Sequence, residues 1–275
     1  MKRYFIVLKS IGDTIVETIN TYNHILKNNI EDFKIYYKYD FQKSILDMVP
    51  IFKNKLEYTP LGRPGWGMRD KNLLKEAVGL TLEIPDYYKC QLPIKKDSIC
   101  IHIRTPTWNF GGHGLGWEPH RNVNPNPYLK LIKKLSKDYQ ITIIGDPGSP
   151  NCEGKNIYQL ARDPNKVLLD DFYAVSVGKL LITADTGVSY FGPVFGTPVL
   201  ISNLTKPSGY YTRKGDWYGK HKLLYKKLKR QDGSILTDDE VLLEFGLDGF
   251  SKNARNYEVI ENTYEELLEG VRNLL

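Results

Sequence analysis

Apolar residues in this chain come in short runs separated by glycine-bearing turns and helix-length segments. Tyr4 to Leu8 reads as a strand, and the turn Ser10-Ile11-Gly12-Asp13 follows it. Ile15, Ile19, Tyr22 and Leu26 then recur at the spacing of one helix face. Phe33 to Tyr39 is the next strand, so strand, glycine turn, helix and strand open a βαβ unit. Thr59 to Asp70 (TPLGRPGWGMRD) reads as loop.

The rhythm breaks between about residues 55 and 97 and restarts at Ser98. Ile99 to Ile103 is a strand ending at Arg104, and a glycine-rich loop runs from Thr105 to Asn124. Pro127 suits the first turn of a helix whose Tyr128, Leu131, Ile132 and Leu135 share a face. Further strands are Ile141–Ile144, Leu180–Thr183 and Pro198–Ile201, and Thr237-x-x-Glu240 and Thr263-x-x-Glu266 are capping boxes for the last helices. Strands alternating with helices predict an α/β fold of parallel sheets covered on both faces. The expected organisation is two Rossmann-like halves, 1–95 and 96–275, meeting near Leu92-Pro93, with the first abridged. Ligands of such sheets bind beyond the carboxyl ends of the strands, so those ends are the places to search.

Composition narrows the class. The 275 residues are 41% hydrophobic and 25% charged, which excludes disorder, collagen and coiled coil. The net charge of +6 fits an anionic ligand or surface without requiring nucleic acid, and none is expected. Cys90, Cys100 and Cys152 form no C-x-x-C or zinc-ligand spacing, and Cys100 reads as core. Tyr4 to Leu8 is too short for a signal-peptide core, and no apolar run is long enough to span a bilayer. The chain is expected to be cytoplasmic.

Strand ends carry the candidate chemistry. Asp13 opens a helix, as an N-cap or as a carboxylate base facing a cleft. His102 and Arg104 alternate on one strand and share a face. Arg104 fits either a phosphate or a structural carboxylate, and His102 either a ligand or a core histidine bonded to a carbonyl. Gly145-Asp146 ends another strand. Asp185-Thr186-Gly187 is either a helix cap or an anion site whose glycine lets a ligand approach the backbone. The run Gly148 to Asn156 imitates a phosphate loop, but its spacer is one residue too long and Asn156 replaces the magnesium-holding hydroxyl. His113, Glu118 and His120 sit in a loop of a kind that is usually not a metal site. G-x-G-x-x-G is absent. Lys222 to Arg230 reads as a solvated helix face with an apolar underside, or as a contact for anionic lipid or glycan.

Ile6-Val7-Leu8-Lys9-Ser10-Ile11-Gly12-Asp13-Thr14-Ile15 resembles the opening of heptosyltransferase-like glycosyltransferases. Leu169 to Ala174, Leu181 to Gly187 and Phe195 to Leu200 are similar to the same family's D-[ST]-G turn and G-[TK]-P-V strand. His102-Ile103-Arg104 resembles the H-x-R motif of fucosyltransferase-like enzymes. Together with Arg121-Asn122, Asp232 to Glu240 and Val259 to Thr263, it is also similar to bacterial surface-polysaccharide glycosyltransferases. The family's donor helix carries a His a few residues after the glycine, where this chain has Val188-Ser189-Tyr190.

The resemblance implies a GT-B fold with an acceptor-side N-terminal half and a nucleotide-sugar half after it. The implied activity is transfer of a hexosyl or deoxyhexosyl group from a nucleotide-sugar to a glycan or lipid-linked acceptor, in surface polysaccharide or glycoconjugate synthesis. The donor is a substrate, and neither cofactor nor metal is expected. Asp13 is implied as base, and His102, Arg104, Gly145, Asp146, Asp185, Thr186, Gly187 and Ser189 as donor-binding. Lys9 and Arg121 are implied at acceptor or phosphate, and a lipid-linked acceptor would bring peripheral contact with the inner membrane face. The alternatives are a nucleotide-sugar 2-epimerase-like enzyme and a non-catalytic nucleotide- or glycan-binding module.

Overall fold

The computed structural model describes residues 1–6, 10–60, 82–85, 88, 90–105, 121–205, 220–245 and 254–275. The N-terminal part is a three-stranded parallel sheet of β1 (Lys2–Phe5), β2 (Phe33–Tyr37) and β3 (Leu56–Tyr58) in that order. Helix α1 (Ile11–Lys27) links β1 to β2, and α2 (Asp40–Leu46) precedes β3. Ser10, not Asp13, is the N-cap of α1, and Asp13 sits one turn inside as its capping partner. The apolar face also shifts at its far end. Ile25 is buried and Leu26 is exposed, because α1 is covered over most of its circumference from Thr14 to Thr21 and turns out only in its last turn.

The second part is a six-stranded sheet in the order β6-β5-β4-β7-β8-β9, all parallel. Its strands are β4 (Ile99–His102), β5 (Ile141–Ile143), β6 (Ile157–Tyr158), β7 (Leu180–Ala184), β8 (Val199–Leu204) and β9 (His221–Tyr225). This is the doubly wound order, with the direction of winding reversing between β4 and β7. Helices α3 (Asn126–Leu135), α4 (Leu168–Val177), α5 (Phe191–Phe195) and α7 (Tyr264–Arg272) cover it. An antiparallel pair, β10 (Lys227–Lys229) and β11 (Glu258–Ile260), stands beside α6 (Asp238–Phe245). Both expected capping boxes form, at Thr237 and at Thr263.

Lys222 to Arg230 is therefore not a helix but lies in two successive strands of different sheets, β9 and β10. Leu223 and Tyr225 pack on one face of the large sheet and Leu224 on the other. A strand covered on both faces loses the alternation that would have marked it. Lys227, Lys229 and Arg230 each pair with a glutamate, Glu266, Glu258 and Glu240, which neutralises much of the supposed lipid-facing patch.

One apolar core runs through both parts. It joins Ile15, Ile19, Ile35 and Phe52 to Cys100, Phe172, Leu181 and Phe191 across the expected boundary. Leu82 donates its amide to Val194 and Glu83 to Met48, so this strap bonds to both sides. A second core, with Ile99, Ile101, Leu131 and Leu267, fills the opposite face of the large sheet. Among the described residues, no helix is long and apolar enough to cross a membrane.

Candidate functional site

The reversal between β4 and β7 opens a crevice at their carboxyl ends, and the sequence places His102-Ile103-Arg104 and Asp185-Thr186-Gly187 there. Thr186 caps a short 3-10 turn, Gly187–Tyr190. Its hydroxyl accepts from the Val188 amide, and its carbonyl accepts from the Ser189 amide and hydroxyl. His102 is buried with Nδ1 3.3 Å from the Thr183 hydroxyl and 3.4 Å from that of Thr186. Its partners are thus hydroxyls rather than a carbonyl. The other edge of the ring lies on Gly145, where an added Cβ would come within 2.4 Å of His102 Cδ2. Gly145 also has φ +105°, so the position excludes a side chain twice over. Asp146, next in the chain, accepts the Gly148 amide in an Asx turn.

Cations collect around these ends. Arg104 is 1% exposed and donates Nε to Asn122 Oδ1 at 3.2 Å. Arg121 donates Nε to the Asp185 carbonyl at 2.9 Å and pairs with its carboxylate at 3.2 Å, and the Thr205 hydroxyl holds the second carboxylate oxygen. Sequence reasoning missed Lys166 and Lys226. Lys166 pairs with Asp171 at 2.7 Å and donates to the Gly145 carbonyl. Buried Lys226 donates to the Asn122 carbonyl at 2.8 Å. Lys226 was hidden inside the segment read as a helix. Lys166 precedes Asp170, which caps α4 through the Val167 amide, and that S/T-free cap carries little signal.

Burial sets the protonation states. His102 is held far down, at about 3, by burial first and then by Lys166 and Arg104, so it is neutral at physiological pH. Asp171 is pushed up to about 6 by burial, against the pull of Lys166 and the Gly145 amide. Folded His102 binds its proton less readily than the unfolded chain, so its contribution to stability is lost as pH falls from about 6.5 toward 3. Folded Asp171 binds its proton more readily, so its contribution falls as pH rises from about 4 to 6. The slopes oppose between about pH 4 and 6. Asp171→Asn removes the second and should steepen the acid loss of stability. Denaturation midpoints across that range check this, and a slope equal to wild type would contradict it.

Asp13 reaches the same place from the other side. Ser10 donates its hydroxyl to Asp13 Oδ2 at 2.7 Å, which orients the carboxylate. The first turn of α1 then meets the Gly187 turn backbone to backbone. A Cβ on Gly12 would lie 2.6 Å from Gly187 Cα, and one on Gly187 would lie 2.8 Å from the Gly12 amide nitrogen. The close approach expected of Gly187 toward a ligand is therefore made, in this structure, by the Gly12 backbone. The site so assembled joins Asp13, Thr186, Gly187 and Ser189 with Asp185, Arg121, Arg104, His102 and Gly145-Asp146. Lys9 lies outside the described residues, as do His113, Glu118 and His120. Among the described residues, no group of three or more His, Cys, Asp or Glu could hold a metal ion. A cavity of about 560 Å³ opens at the opposite, amino-terminal ends of the strands, lined by Lys95 to Ser98, Asp138 to Gln140, Asn156 and Lys179.

No protein-family model matches the chain, and no curated protein does. Solved structures do. A glycosyl transferase family 9 protein from Veillonella parvula is 14% identical, with 99% of this chain and 97% of that one covered and a TM-score of 0.52. The ADP-heptose LPS heptosyltransferase II of E. coli is 13% identical, with 100% and 98% covered and a TM-score of 0.60. At such identities the likeness is one of architecture, and the chain has the GT-B-like α/β fold of parallel sheets that these glycosyltransferases share.

Proposed function

We propose that this protein is a glycosyltransferase that moves a sugar from a nucleotide-sugar to a hydroxyl of a glycan or lipid-linked acceptor. The observation that supports the reading is the abutment of Gly12, the residue before Asp13, on Gly187 in the turn at the winding reversal of the large sheet. Both fold neighbours are glycosyltransferases by name, which supports the same class.

In this reading the acceptor oxygen attacks the anomeric carbon as the bond from that carbon to the diphosphate oxygen breaks. Asp13 takes the acceptor proton. Arg121 and Arg104 stabilise the charge that gathers on the departing diphosphate, aided by the amides at Thr186 and Gly187. Gly145-Asp146 and Asp185 flank the nucleoside, His102 and Ser189 shape the pocket, and Lys9 serves the acceptor. The donor sugar is a hexose or deoxyhexose, since Val188-Ser189-Tyr190 stands where the heptosyltransferase-like family carries a His. The product is a surface polysaccharide or glycoconjugate.

A thermal-shift panel of UDP, GDP, ADP, CMP and their sugars tests this. At a hundred times Kd the right ligand should stabilise the protein by about 2.7 kcal/mol. Failure of every member, or conversion of a free UDP-sugar with no acceptor present, would overturn the reading.

A further inference from the structure

The short stretch carrying Arg121 is fastened at each of the residues that follow it. The Asn122 side chain accepts from Arg104 Nε at 3.2 Å, and the Val123 amide donates to the Arg104 carbonyl at 3.1 Å. The Asn122 carbonyl accepts from Lys226 Nζ at 2.8 Å, and the Asn124 amide donates to Glu261 Oε2 at 2.7 Å. Lys226 and Glu261 also face each other at 3.3 Å, with the Lys226 side chain 4% exposed. Both come from the end of the chain, far in sequence from Arg121.

Glu261 is itself anchored. Asn262 next to it exchanges backbone-to-side-chain hydrogen bonds with Asn203, at 2.6 and 2.8 Å, and donates its side-chain Nδ2 to the Tyr225 carbonyl at 2.9 Å. The carboxyl end of β8 and the residue before Lys226 are thus tied to the same staple. The buried Lys226 ammonium is thus held between the Asn122 carbonyl and the Glu261 carboxylate.

We infer that Lys226 and Glu261 form a clamp that positions Arg121 for the donor diphosphate, with Lys226 the positioning residue. This rests on the reading of Arg121 as a diphosphate ligand. Lys226 bonds the main chain next to Arg121, whereas Arg104 is held by the Asn122 side chain, so most of the effect of losing Lys226 should vanish once Arg121 is absent. A residue that merely supports the fold would weaken binding with or without Arg121.

The test is titration of inorganic pyrophosphate, and then of ADP and UDP, into the full chain by calorimetry. Wild type, Arg121→Gln, Lys226→Met, Lys226→Arg and the Arg121→Gln/Lys226→Met double variant are compared. Arg121→Gln and Lys226→Met should each raise Kd about tenfold, the scale of one charge-assisted bond. The double variant should match Arg121→Gln within about threefold, and Lys226→Arg should return most of the affinity. If Lys226→Met does not fold, Glu261→Gln breaks the same clamp from its more exposed member and should show the same coupling to Arg121. Unchanged Kd in Lys226→Met, or additive losses in the double variant, overturns the clamp and leaves the diphosphate reading intact. Unchanged Kd in Arg121→Gln, or no binding by wild type, overturns that reading and the clamp with it.

Discussion

Asp13→Asn should lose about 10²–10⁴ in turnover while remaining folded, the range for removal of a positioned general base. The amide cannot accept the acceptor proton. It can still accept the Ser10 hydroxyl that now bonds Asp13 Oδ2. Ser10 itself caps α1 and is untouched, so the helix start survives. What the fold loses is the favourable charge in the first turn of α1, about 0.3–1 kcal/mol. Nucleotide binding should stay near wild type, because the proposed function gives Asp13 to the acceptor and the donor to other residues. The measurement is single-turnover transfer with the donor found by the panel, alongside a denaturation curve. Wild-type transfer by a folded Asp13→Asn protein would leave Asp13 as a capping partner only.

Gly187→Ala should damage both stability and transfer. The new Cβ would lie 2.8 Å from Gly12 N and 3.0 Å from Gly12 Cα. These are backbone atoms at a helix start, so no flexible side chain can swing aside. Either the Gly187 turn or α1 must move, at a cost of about 1–3 kcal/mol for overpacking. The movement shifts Asp13 relative to the Gly187 turn, and a displacement of about 1 Å can cost 10²-fold in rate. Gly12→Ala approaches the same contact from the other side, at 2.6 Å from Gly187 Cα, and should behave alike. Thermal midpoints and transfer rates of both variants check this. Wild-type values for both quantities would show that the two turns are free to part.

Much of the fold was legible because burial writes itself into the chain. The strands of the large sheet are covered on both faces, so Ile99–Ile103, Ile141–Ile144 and Leu180–Thr183 stand out as continuous apolar runs. Pro127, Thr237-x-x-Glu240 and Thr263-x-x-Glu266 mark helix starts by local chemistry that needs no partner from elsewhere. The same burial misled at Lys222 to Arg230, where leucines facing two different cores imitate one helical stripe. β3, only Leu56–Tyr58, was too short to leave a pattern.

The candidate site divides in the same way. Asp13, Arg104 and Asp185 could be singled out, because turns after strands are where a parallel sheet exposes chemistry, whereas Arg121 entered only through the family resemblance. By itself, then, the sequence determined most of the strands and helices, the parallel class and the residues at the strand ends. Their meeting was decided by the order β6-β5-β4-β7-β8-β9, which sets the winding reversal beside His102 and Asp185. So was the contact of Gly12 with Gly187, and so was the seating of Lys226 on Asn122. Each of these joins residues more than eighty positions apart, and hydrophobic periodicity reports only which side of its own element a residue faces. Which element then covers that side is settled by packing the whole chain around its shared core, and only tertiary structure records it.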